Sequence, residues 1–164
     1  MLDIEFMSEL LIGVMHGPQG GSSKIIDEYY EQYEDYEDEF PEQHRTQKLF
    51  KEVLAIIQSI FPKIKETRWS NKTDFYTLFV GLASLLRKYE LTGGGVRNVR
   101  KALEKFAEDT DLRLADEHAT VSKTVINYVR AVEKGANDKK RRANRHAALL
   151  AIIGEYFKPR KKSA

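Results

Sequence analysis

The sequence predicts an all-α fold, a compact bundle of about seven short helices, on three observations. Apolar residues recur at intervals of three and four along nearly the whole chain. Strand-like alternation is nearly absent. Glycine and proline interrupt the helical spacing at short intervals.

The first helix is expected over about Asp3 to His16, with Phe6, Leu10, Leu11, Val14 and Met15 on its apolar side. Gly17-Pro18 and Gly20-Gly21 break it. The second starts near Ser22 or Ser23 and carries Ile25, Ile26 and a tyrosine stripe (Tyr29, Tyr30, Tyr33, Tyr36). Pro41 suits the opening of a third, where Leu49, Phe50, Val53, Leu54, Ile57, Ile60 and Phe61 form a dense apolar face ended by Pro62. In the fourth, Phe75, Leu78, Phe79, Leu82, Leu85, Leu86 and Tyr89 trace one face. Asn71 or Thr73 would cap it, Asp74 favours its positive end and Gly93-Gly94-Gly95 stops it. A shorter fifth helix points Val96, Val99, Leu103 and Phe106 inward. The sixth carries Val121, Val125, Tyr128, Val129 and Val132 and closes at Gly135; the spacing of its valines outweighs their poor helix propensity. The seventh runs from about Asp138 to Phe157. One helical domain over 1–157 and a basic disordered tail over 158–164 follow.

A chain of 164 residues suffices for one ordinary domain. The absence of cysteine removes disulfides, thiolate metal sites and thiol nucleophiles together, and it fits a reducing compartment. No apolar run approaches the ~20 residues of a membrane helix, and Asp3 and Glu5 stand where a signal peptide would be basic. A cytoplasmic protein without membrane contact is expected.

The net charge of +2 hides an asymmetry: residues 1–42 sum to −11 and residues 43–164 to +13. Nine carboxylates lie between Asp27 and Glu42 without a base among them. That stretch lacks the central glycine of a calcium loop and reads as a solvated face opposite the tyrosines. The histidines (His16, His44, His118, His146) show no ligand spacing, and His118 reads as a helix-start residue. No Gly-x-Ser-x-Gly turn is present, and neither glycine-rich stretch has the surroundings of a phosphate loop or dinucleotide fingerprint. Catalytic residues, metal ligands and cofactors are therefore not assigned.

The strongest functional signal is basic. Between Lys134 and Lys162 there are ten Lys/Arg and two acids. Lys139, Lys140, Arg141, Arg142 and Arg145 crowd the start of the last helix, where the helix dipole opposes positive charge. Such placement calls for a compensating acidic surface, the Asp27–Glu42 stretch, or for an external polyanion such as DNA held by its phosphates. These five residues are the candidate nucleic-acid contacts. The plainer alternative is an ordinary solvated basic face.

The segment Trp69-Ser70-Asn71-Lys72-Thr73-Asp74-Phe75-Tyr76-Thr77-Leu78-Phe79 resembles a motif in the helical half of the ParB/sulfiredoxin-like proteins typified by GmrSD modification-dependent restriction enzymes. Glu5 to Leu11, Ile26 to Tyr30 and Asn137 to Arg145 are similar to that half in the same order. In that family the catalytic work is attributed to a preceding α/β ParB-like portion with an Asp-Gly-Gln-Gln-Arg motif, which this chain does not contain. The resemblance therefore implies a non-catalytic helical domain of a DNA-defence or nucleic-acid-processing protein, supporting a catalytic ParB-like half in cis or trans. The alternatives are a protein–protein interaction module with acidic and basic faces, and a small enzyme.

Overall fold

The helical spacing is realised as seven α-helices among residues 4–36, 40, 42–133 and 135–160, which the computed structural model describes. They are α1 (Ile4–His16), α2 (Ser23–Tyr33), α3 (Gln43–Ile60), α4 (Lys72–Leu86), α5 (Gly95–Ala115), α6 (Lys123–Glu133) and α7 (Lys139–Ile153). Two three-residue strands, β1 (Tyr89–Leu91) and β2 (Phe157–Pro159), pair antiparallel. The fold is all-α.

Helix α4 is the centre. Leu78, Phe79, Leu82 and Leu86 are buried as their spacing predicts, while Phe75 and Leu85 are half-buried. Tyr76, Thr77, Val80 and Ala83 are buried as well, because α1, α3 and α7 enclose the helix from several sides. A surrounded helix needs apolar residues beyond one stripe. Gly81 lets α7 approach: a Cβ there would collide with the Leu149 side chain. Trp69 packs beneath the entry to α4, stacked on Phe106 of α5 at 6.4 Å. Asn71 stands at the N-cap but makes no side-chain cap bond.

Several boundaries differ from the sequence reading. Helix α2 ends at Tyr33, so Tyr36 lies beyond it; Pro41 and the carboxylates at 37–39 lie outside the described residues. Tyr89 is not helical but opens β1, with registers Tyr89↔Pro159, Glu90↔Lys158 and Leu91↔Phe157. Lys158 pairs with Glu90 at 3.4 Å, so the ordered domain extends past residue 157 to Arg160, and 161–164 lie outside the described residues. A pairing between positions about seventy residues apart leaves no local spacing to read. Helix α5 is the longest described, not a shorter one: its inward face continues past Phe106 through Thr110, fully buried and bonded to the Phe106 carbonyl at 2.7 Å. His118 does not start a helix. It sits in the α5–α6 loop, where its N–H donates to Asp116 Oδ1 at 2.9 Å.

A candidate nucleic-acid interface on the last helical hairpin

The five predicted basic residues divide along helical phase. Leu149 and Ile153 of α7 are buried, and stepping back from them by four and then three residues reaches Arg145 and Arg142. Both arginines are buried, 1% and 4% exposed, which removes them as phosphate contacts. Lys139 and Lys140 are exposed and Arg141 is half-exposed.

Arg142 pairs with Glu9 of α1 and lies 3.9 Å over the Tyr76 ring. It also donates to the Gln19 carbonyl and to Asn137 Oδ1, each at 3.1 Å. One side chain thus ties α1, the glycine-rich loop, α4 and the α6–α7 turn together. Gly21 is required beside it, because a Cβ there would overlap the guanidinium. Arg145 meets neutral partners: Thr77 Oγ1 at 3.1 Å and the carbonyls of Ala131 and Ala136 at 2.7 Å each. The buried acidic partner of Arg142 is therefore Glu9 of α1, which lies outside the Asp27–Glu42 stretch. A fixed counter-charge and oriented carbonyls offset the cost of cations in the first turns of α7.

A second buried network joins α4 to α6. Tyr128 donates to Asp74 Oδ1 at 2.6 Å, and Arg68 pairs with the same carboxylate at 3.1 Å. Burial first, and then the Asp74 charge, hold the Tyr128 hydroxyl pKa well above its ordinary value, so it remains a donor. The acid of the Trp69–Phe79 motif is thus a structural hub.

Outside these networks, α6 and α7 frame a groove of about 540 Å³. One wall is the α6 ridge Thr124, Asn127 and Arg130, spaced by three and opposite the buried Val125, Tyr128 and Val129. The other wall is Arg141 and Asn144 of α7, followed by Ala147, Ala148 and Ala151. The Arg141 guanidinium donates to the Arg130 carbonyl and so joins the walls at the turn. Among the described residues no carboxylate lines this groove. Lys139 and Lys140 are exposed in the first turn of α7, Lys139 lining a separate pocket with Glu28 and Tyr29 of α2, and neither makes a salt bridge among the described residues. Arg130, Asn127 and Asn144 escaped the sequence reading because no charge run marks them; the signal was their phase opposite the valines of α6 and the aliphatics of α7.

Among the described residues, no three His, Asp or Glu side chains come together as a metal-ion site, and no helix is long and apolar enough to cross a membrane. A different surface is apolar. Ile4, Met7 and Leu11 of α1, with Tyr30 of α2 and Phe50 of α3, line a groove of about 400 Å³, and Ile4 is 80% exposed.

No family model matches the chain, and no curated protein or solved structure matches it.

Proposed function

We propose that this chain is the non-catalytic helical domain of a ParB-like, GmrSD-related DNA-defence or nucleic-acid-processing protein. It supports a catalytic half in cis or trans and contacts DNA phosphates through the α6–α7 face. The observation that carries the DNA contact is the pair Arg130 and Arg141 in a groove whose described lining holds no carboxylate, with Lys139 and Lys140 exposed in the first turn of α7. Cations placed this way displace the counterions of a polyanion whatever its sequence. The family assignment rests on the order of the four resembling segments. Binding of a labelled random duplex by fluorescence anisotropy tests the contact. Lys139→Glu/Lys140→Glu should weaken binding by tenfold or more, while Lys48→Glu/Lys51→Glu on α3 should change it little. Equal losses from the two pairs would reduce the effect to net charge and overturn the assignment of the face.

A second reading, a protein-interaction module, is favoured by the exposed Ile4 and Tyr30 beside the α1–α3 groove. Ile4→Glu/Leu11→Glu would abolish a partner complex that depends on this face and leave duplex binding intact.

A further inference from the structure

The apolar groove on α1 lies between walls of opposite charge. Ile4, Met7, Leu11 and Met15 recur at helical spacing and share one face of α1. Half a turn round from Ile4, a Cβ on Gly13 would collide with Val80 of α4, so the stripe turns away from the core. Ser8 and Ile12 lie on one flank of the stripe, toward α2, where the Ser8 and Tyr30 hydroxyls meet at 2.7 Å. Met7 lies on the other flank, toward α3. The α2 wall carries Asp27, Tyr30 and Glu34 at steps of three and four, all exposed. The α3 wall carries Gln47, Phe50, Lys51 and Leu54 on one helix face, with the exposed Lys48 beside Lys51. Asp27, Glu34, Lys48 and Lys51 make no salt bridge among the described residues. Of the eight exposed large apolar side chains described, four stand on this face: Ile4, Tyr30 (59%), Leu54 (44%) and Leu11 (37%).

We propose that this face pairs two copies of the chain about a two-fold axis running along α1. The proposal rests on the protein-interaction reading of this face and names the partner. A two-fold axis along the stripe exchanges its two sides, so each acidic α2 wall lies over the basic α3 wall of the other copy. The stripes, with Tyr30, Phe50 and Leu54, then cover one another between two matched sets of opposite charge. A face with opposite charges on the two sides of an apolar strip is complementary to itself. Asp27 and Glu34 oppose nucleic acid or an anionic lipid surface at the same place.

Sedimentation velocity on the full chain, as a dilution series from about 300 µM, reads the association. The largest species should have twice the 18.9 kDa mass of the chain. Ile4→Glu/Leu11→Glu should weaken the dimer at least about tenfold. Asp27→Lys/Glu34→Lys gives two basic walls and Gln47→Glu/Lys51→Glu two acidic ones, and each should weaken it about threefold or more at ~50 mM salt. An equimolar mixture of these two variants should associate as well as the parent, because every wall again meets its opposite. All the substituted side chains are exposed, and circular dichroism checks that each variant folds. A dimer that survives the apolar pair unchanged, or a mixture no better associated than its two components, overturns the proposal. A monomer at about 300 µM overturns it alone: the interaction reading then requires a different protein on this face, and duplex binding is read on α6–α7.

Discussion

Replacing Arg145 by methionine separates a buried arginine from an exposed one within the same basic run. Arg145 is 1% exposed and is the described donor to the Ala131 and Ala136 carbonyls and to Thr77 Oγ1. Methionine keeps most of the aliphatic stem and removes all of these donors. A buried carbonyl left without a donor costs about 1–3 kcal/mol; the Ala131 carbonyl is buried and the Ala136 carbonyl only partly so, and the two together cost about 2–5 kcal/mol. Thr77 adds little, since its hydroxyl already donates to the Thr73 carbonyl at 3.0 Å. Relief from holding a guanidinium out of water offsets part of the loss, leaving about 2–4 kcal/mol. In a chain of this size that lowers Tm by about 4–16 °C. Urea melts followed by circular dichroism measure it, with Lys140→Met as the exposed control, expected within about 0.5 kcal/mol of the parent. Equal effects at the two positions, or a loss at Arg145 below about 1 kcal/mol, would refute the division of the run by helical phase.

Leu82 is fully buried at the centre of α4, so Leu82→Ala should cost about 2–5 kcal/mol in the same melts. Glu9→Ala leaves Arg142 buried without its counter-charge and should cost about 3–5 kcal/mol, whereas Glu9→Leu/Arg142→Met should recover much of that loss. Burial lowers the pKa of His146, which bonds Ser84 Oγ at 3.0 Å. The unfolded imidazole takes its proton near pH 6.5 and the folded one only at lower pH, so stability falls as pH drops below about 6.5. His146→Gln should flatten that part of the stability–pH profile; an unchanged slope would show that His146 contributes none of it.

The core was legible in the sequence where one residue class repeated at helical spacing, as in Leu78, Phe79, Leu82 and Leu86. Reading failed where a polar residue held an inward position. Thr110 extends the buried face of α5, and Arg142 and Arg145 occupy the inward ridge that Leu149 and Ile153 continue. A charge-based reading grouped all five bases of α7 because they are adjacent in sequence; in space the helix turns two of them inward. The phase of the aliphatics two turns later held that information. The partner of Arg142 was not readable at all, since Glu9 lies 133 positions away on a helix with no nearby sign of pairing. The groove likewise depends on Arg130 and Asn127 of a separate helix, brought beside Arg141 and Asn144 only by the α6–α7 hairpin.

The salt dependence of duplex binding tests the central claim most directly. If all four cations of the α6–α7 hairpin (Arg130, Lys139, Lys140, Arg141) engage phosphates, the log–log slope should be about −3 to −4 between about 50 and 200 mM salt, on the rule of about −0.9 per neutralised phosphate. Arg130→Glu/Arg141→Glu should flatten that slope by about 2, and a scrambled duplex sequence should leave it in place. No binding at about 50 mM salt, or a slope that the double variant leaves unchanged, would contradict the assignment of this face to nucleic acid.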